Sequence, residues 1–392
     1  MSRTKETRRR GSFAAMFSVA SVLFGWHAGG GFATGNQAHQ FYVISGWLGP
    51  ASALLAILLL TLTVRQAMVM YNSRGLKSYK QLFETLYHPL DKLEIIFEIY
   101  YYIMVLMATS SSIAGAGTLL VDAIGMDYIV SILVIGAILL VLTMFGSGLV
   151  RKASSVMSIL ILICALLIFI FGIIQKADSI KLAFSGALNL EQAPTALLKS
   201  FQYAGFQCAS IPTMIACGTV LRDKKECGRS MWLSFGMNAA ALCLSVVMLL
   251  GWQTVYTAIG GGATIPALTI CKEIGVTPLI WAYYICLFLC FISTAVSAVF
   301  GIVNRFEVNG WLQKHVSNGF ARRIGIALLV MGSSMAISLA GLTNIIKYGY
   351  GYCGYIGIAM IVVPFLTVGV YKNRKFRREH QTAPEGGKKS IG

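Results

Sequence analysis

A chain of 392 residues that is 56% hydrophobic and only 12% charged is not an ordinary soluble domain. Its net charge of +17 invites nucleic-acid binding, but the cations sit in clusters between long apolar stretches rather than on one basic face, which argues against it. What remains is a polytopic, all-helical membrane protein.

Cutting at the charged and turn-rich clusters leaves ten apolar stretches of spanning length, at about 13–41, 47–71, 92–121, 127–146, 149–174, 195–221, 230–257, 277–303, 323–341 and 343–371. Residues 1–12 carry the charge of a secretory leader. The apolar run behind them is too long for one and has no small-residue cleavage site, so it is expected to be retained. A cytoplasmic N-terminus places all but five of the 32 Lys and Arg on the inner side, the exceptions being Lys176, Lys181, Lys199, Lys272 and Lys347. That bias predicts an even number of spans, both termini cytoplasmic, and a multi-pass protein of the plasma (inner) membrane. The expected organisation is a basic N-terminus over 1–12, a five-helix repeat over 13–174, an outer loop over 175–194, a second five-helix repeat over 195–371 and a basic tail over 372–392.

The first span contains Gly29, Gly30 and Gly31 together. Each glycine costs roughly 1 kcal/mol of helix propensity relative to alanine, and main-chain groups freed inside a bilayer cost several more unless something satisfies them. A span broken at mid-depth usually lines a cavity where bare backbone holds an ion or substrate. Ala28, Gly29, Gly30, Gly31 and Phe32 are therefore candidate substrate contacts, and the half-helix starting near Phe32 offers free amides and a positive dipole end to a carboxylate. His27, two residues before the glycines, is either a proton-coupling group or a neutral side chain bonded to a nearby carbonyl.

Between spans two and three, residues 72–90 are amphipathic and suit a short helix on the inner surface. Glu94 and Glu98 follow one turn apart. Glu98 is a gating candidate with Arg65 or Arg151 as partner, although a snorkelling surface pair is the plainer alternative. Ser110 and Ser111 lie in a run of small residues at mid-depth, where close helix packing and substrate contact are both open. The sixth span reads Gln202-Tyr-Ala-Gly-Phe206 with Pro212 behind it, so a second break is expected at Ala204-Gly205, making Tyr203, Ala204, Gly205 and Phe206 further substrate contacts. Five spans per half require the second half to enter from the opposite side, so the two breaks face each other. The outer loops at about 175–194 and 258–276 are lid candidates, the second with Gly260, Gly261 and Gly262 as a hinge.

In the eighth span, Ser293 and Thr294 sit near mid-depth. Their hydroxyls either bond the carbonyl one turn back or join the backbone carbonyls of His27 and Gly30 around a metal ion. Neutral oxygens suit Na+ rather than a divalent ion. Tyr348, Tyr350, Tyr352 and Tyr355 alternate with glycines in the tenth span as an aromatic belt or a vestibule wall. Cys286 and Cys290, one turn apart in an apolar helix, read as packing. The charged tail after Tyr371 is expected to be disordered. No phosphate-binding loop, nucleophile elbow or zinc-protease motif occurs and no acid, base and nucleophile converge, so no enzyme and no cofactor beyond Na+ as coupling ion is expected.

The segment Ala28-Gly-Gly-Gly-Phe-Ala-Thr-Gly35, the Ser293-Thr294 pair and Gly349-Tyr-Gly-Tyr352 resemble the YkvI-type amino-acid permeases of the amino acid–polyamine–organocation superfamily. The resemblance covers about residues 13–371. It implies the LeuT-type fold, ten helices in a five-plus-five inverted repeat with the first and sixth broken. It also implies a substrate between those breaks touched by spans three and eight, and a Na+ position between first-span carbonyls and Ser293 and Thr294. The chain departs from that pattern at Gln37, where the family carries an acidic residue, and at His27. The expected function is Na+-coupled uptake of an amino acid or similar small zwitterion by alternating access, with the lipid bilayer and a small-molecule substrate as partners. A proton-coupled permease or exchanger and a non-transporting ligand-sensing receptor are the alternatives.

Overall fold

The computed structural model describes residues 2–27, 29–185, 190–221, 224–260, 262–307 and 310–381, and every regular element among them is a helix. Among the described residues, seven helices are long and apolar enough to cross a membrane: Val43–Ser73, Asp91–Ile124, Tyr128–Phe145, Lys224–Thr257, Thr277–Glu307, Gly319–Ser338 and Leu342–Glu379. An eighth, Ile159–Gln175, bends by 74° into the helix Ala177–Ser185. The two remaining stretches fall short as single helices because each is interrupted. In the first, Phe13–His27 stops at the glycines; in the sixth, Ala193–Gln207 and Ile211–Gly218 are separate helices. Spans one and six are the pair whose sequence carries the breaks.

Spans one, two, six and seven pack together, with two against seven and six, and one against seven. Spans three, four, eight and nine form a second group built on the contact of three with eight. Span five touches eight and seven, and span ten lies on six. The halves repeat with inversion. Each opens with an interrupted span, and each carries a short helix between its second and third spans. Tyr79–Tyr87 lies at the lysine- and arginine-rich end, and Pro266–Ile274 at the opposite end.

Tyr79–Tyr87 begins where residues 72–90 predict a surface helix. Ser78 caps it by accepting from the Gln81 amide at 3.2 Å, while Gln81 Oε1 accepts from the Lys77 amide at 2.8 Å. Its apolar face does not meet lipid. Leu82, Phe83 and Leu86 are buried, with the Phe83 ring 3.7 Å from Phe97 of span three and 5.7 Å from Phe365 of span ten, centre to centre.

Two expectations are corrected. Residues 203–206 wind as regular α-helix, and the interruption in span six is a tightened turn at Cys208–Ser210. Pro212 accounts for its position: it has no amide to give the Cys208 carbonyl, and its ring crowds that carbonyl. Gly205 serves packing instead. A Cβ there would collide with the Gly354 carbonyl oxygen of span ten, and one at Gly357 with the Gly205 carbonyl, so these glycines let spans six and ten touch backbone to backbone. The second correction is the tail, which is helical over Val370–Gln381 and continues span ten; residues 382–392 lie outside the described residues.

Candidate functional site

The first helix ends at His27 and a new one starts at Gly30, two residues earlier than expected. Ala28 lies outside the described residues. A helix end leaves its last four carbonyls and the next helix's first amides without helical partners, so main-chain groups of both signs meet at Gly29. Some are taken: Gly29 O accepts from the Phe32 and Ala33 amides at 3.0 and 3.2 Å. The short helix Gly30–Ala33 gives way at Gly35, whose φ of 76° lies in the left-handed region glycine tolerates. From there the backbone is fastened toward the opposite end. Ala33 O accepts from Tyr283, Thr34 O accepts from the Ala267 amide at 3.0 Å, and Asn36 Nδ2 donates to Thr264 O and Thr343 Oγ1, both at 2.8 Å. The loop read as a lid candidate thus packs on the broken span, with Gly261 outside the described residues.

Facing the break is a buried polar cluster. The Tyr203 hydroxyl of span six lies 2.7 Å from His27 Nε2, accepts from Gln207 Nε2 at 3.3 Å and reaches Gln37 Oε1 at 3.5 Å. His27, Gln37 and Tyr203 are 2%, 6% and 0% exposed, so side chains fill the space between the two spans. Gln37 folds back over Gly31, where any Cβ would collide with its carboxamide. Because the His27–Tyr203 bond is the shortest of these, the hydroxyl is best placed donating to Nε2, which leaves the ring proton on Nδ1. Among the described residues, neither His27 Nδ1 nor Asn238 Oδ1 of span seven has a hydrogen-bond partner.

Around this cluster stand Phe32, Phe41, Tyr42 and Phe206, with the Tyr350 ring centred 5.0 Å from that of Phe206 and tilted 31° to it. Lys199 places its ammonium 5.3 Å from the centre of the Phe41 ring. Tyr100 donates to the Gly205 and Phe206 carbonyls at 2.7 and 2.8 Å, satisfying the helix just ahead of its tightened turn. Ser111 is shared between the Ala108 carbonyl and the Tyr350 hydroxyl, whereas Ser110 bonds only back to Leu106 O.

Ser293 and Thr294 both donate to Cys290 O, at 3.1 and 2.9 Å, the plainer of the two roles open to them. A hydroxyl that donates backward still presents its lone pairs outward. Thr294 Oγ1 lies 3.9 Å from where a Cβ on Gly29 would stand, which brings the eighth span against the break.

The gating partner is corrected. Glu98 pairs with Arg305 at the basic end of span eight, and it accepts from Tyr79 at 3.1 Å and Tyr102 at 2.8 Å; the Arg305 guanidinium lies over both rings. Arg65 sits elsewhere, against Gly228 of span seven, and the side chain of Arg151 lies outside the described residues. At the opposite end Asp122 of span three binds Lys272 of the helix Pro266–Ile274 at 2.7 Å, together with Tyr284 of span eight. Burial pulls the Lys272 pKa down, but its bonds to Asp122 and Tyr284 more than restore it and hold it above the ordinary lysine value. Gln207, Asn238, Arg305 and Tyr100 were missed by sequence reasoning. Only Tyr100, within its run of three tyrosines, carried a visible signal.

No family model matches this chain. It is 29% identical over 175 residues to the uncharacterized membrane protein YkvI of Bacillus subtilis, an alignment that takes in 44% of this chain and about half, 47%, of that relative. Among solved structures it superposes on a Na+-coupled sialic acid symporter in its substrate-bound outward-open state, with a TM-score of 0.59 over 93% of this chain and 97% of the other, at 13% identity. It also superposes on MhsT in complex with L-phenylalanine, with a TM-score of 0.58 over 90% and 97% of the two chains, at 13% identity.

Proposed function

We propose, from the premise that this is a YkvI-type membrane protein with the LeuT-type fold, that it is a secondary transporter. It takes up an amino acid or similar small zwitterion together with Na+ by alternating access, from the plasma membrane with both termini in the cytoplasm. The observation carrying this reading is the junction at Gly29. There the first span gives up its helical bonding beside Tyr203 and Phe206 of span six and Thr294 of span eight, inside a shell of rings and neutral polar groups. Free amides at Gly30 and Gly31 suit a carboxylate. The ammonium of a zwitterion finds no central carboxylate among the described residues and relies on carbonyls, hydroxyls and the faces of Phe41, Phe206 and Tyr350. Carbonyls at the end of the first helix with the hydroxyls of Ser293 and Thr294 make an all-neutral oxygen set suited to a monovalent cation.

A second reading, proton coupling, is favoured by the buried Nδ1 of His27, which has no hydrogen-bond partner among the described residues. A thermal-shift screen of purified protein against amino acids, amines and nucleobases, with and without Na+, tests both. A ligand-induced shift that grows with Na+ supports the sodium reading. A shift indifferent to Na+ but dependent on pH, and absent in His27→Gln, favours the proton reading. No shift with any of these ligands contradicts both.

A further inference from the structure

The helix Tyr79–Tyr87 does not close its own C-terminal end. Of its last four carbonyls, Glu84 O accepts from the His88 amide and Tyr87 O from the Leu90 amide, both at 2.9 Å. Thr85 O has no helical partner because residue 89 is a proline without an amide. Leu86 O has none because the Leu90 amide is turned to Tyr87. No basic residue stands in the last turn. The tail helix Val370–Gln381 supplies what is missing. Lys372 Nζ donates to Thr85 O, Leu86 O and His88 O at 2.9, 3.1 and 2.8 Å, which occupies all three ammonium protons and sets a positive charge at the negative end of the short helix.

Further bonds fasten the tail to span two. Asn373 Nδ2 donates to Gln66 O and Oε1, both at 3.1 Å. Arg74 donates to Asn373 Oδ1 at 2.8 Å and Lys372 O at 3.0 Å, and lies 4.5 Å over the centre of the Phe376 ring. From Tyr371 to Glu379 no tail residue is buried, and a cleft of about 570 Å³ is lined by both helices. The tail is therefore held by polar bonds near the surface rather than by apolar packing, and such a contact can release without unfolding the rest. At the other end of the same nine-residue helix, Tyr79 donates to Glu98 Oε1 at 3.1 Å, with the Arg305 guanidinium 4.6 Å from the centre of its ring. A helix this short is marginal without outside support, so what holds its C-terminal end also steadies Tyr79.

We propose that the tail helix is a latch on the basic end of the bundle: by capping Tyr79–Tyr87, Lys372 keeps Tyr79 in the Glu98–Arg305 clasp, and this end opens when the tail lifts. Lys372 is then a positioning residue that acts through Tyr79, and the inference rests on the alternating-access reading for the clasp's role as a gate. The test is labelling of a cysteine placed at Ser111, read at that residue by mass spectrometry after a membrane-impermeant thiol reagent is applied from the basic end to proteoliposomes of the full chain. Lys372→Gln and, independently, Asn373→Ala are expected to raise labelling about 5-fold, the shift that one lost charged hydrogen bond produces. Lys375→Gln, on the same helix but paired with Glu379 at 3.9 Å, leaves it unchanged. The buried face of Leu82, Phe83 and Leu86 keeps the short helix folded in all three. Adding Lys372→Gln to Tyr79→Phe gives no further rise if the latch works through Tyr79. Additive rises, equal rises in Lys372→Gln and Lys375→Gln, or no rise in Lys372→Gln where Glu98→Gln gives one, overturn the latch and leave the clasp as the gate. No rise in either Lys372→Gln or Glu98→Gln overturns the latch and the gating role of the clasp together.

Discussion

The Tyr203 hydroxyl holds His27 and Gln207 and reaches Gln37, and buried polar groups deprived of a partner cost about 1–3 kcal/mol. Tyr203→Phe is accordingly expected to lower the midpoint of thermal unfolding in detergent and to weaken uptake, whereas an unchanged midpoint would show that these bonds contribute nothing. Gly31→Ala acts on the same cluster by another route. Its methyl meets the flexible end of Gln37 rather than backbone, so Gln37 swings away at a cost of about 1 kcal/mol and transport suffers more than stability. Gln37→Ala in the same chain should then restore the unfolding midpoint; failure to restore it means the methyl clashes elsewhere. The three glycines were legible because nothing in a bilayer rewards them. Gln207 and Asn238 were not, because a lone polar residue in an apolar stretch does not declare which neighbour it meets.

At the level of single helices, span six separates two uses of glycine. Were Gly205 a hinge, Gly205→Ala would stabilise its helix by about 1 kcal/mol. Because the new Cβ would instead strike the Gly354 carbonyl, which is backbone and cannot swing aside, the substitution is expected to destabilise by about 1–3 kcal/mol. The sign of the change in unfolding midpoint decides between them. From sequence alone Ala204-Gly205 and Pro212 were two breakers seven residues apart. Only the neighbouring span shows that the glycine packs and the proline interrupts. The tail was misjudged for a similar reason: its composition is that of a solvated segment, and the contacts of Lys372, Asn373 and Phe376 that hold it as a helix come from residues about 290 to 310 positions earlier.

Across the whole molecule, the pair formed by spans three and eight is tied at both ends. Glu98 and Arg305 close one end with Tyr79 of the first repeat's short helix, and Asp122 and Tyr284 close the other with Lys272 of the second repeat's. Under the proposed alternating access, each clasp releases in turn. Glu98→Gln is therefore expected to raise labelling of a cysteine placed at Ser111 by a thiol reagent applied from the basic end of the bundle, and unchanged labelling would show that the clasp does not gate. The long apolar helices and the inverted halves were legible because hydropathy is a local property. The partner of Glu98 was not, since Arg65, Arg151 and Arg305 all lie at the same end and differ only in how their helices are arranged. The most direct measurement of the central claim is uptake of the ligand found by thermal shift into proteoliposomes, with an inward Na+ gradient or with choline in its place. Concentrative uptake that needs Na+ and is lost in Ser293→Ala and Thr294→Ala is the expected result; uptake that is the same in choline and in both variants would contradict a cargo and cation site at the broken first span.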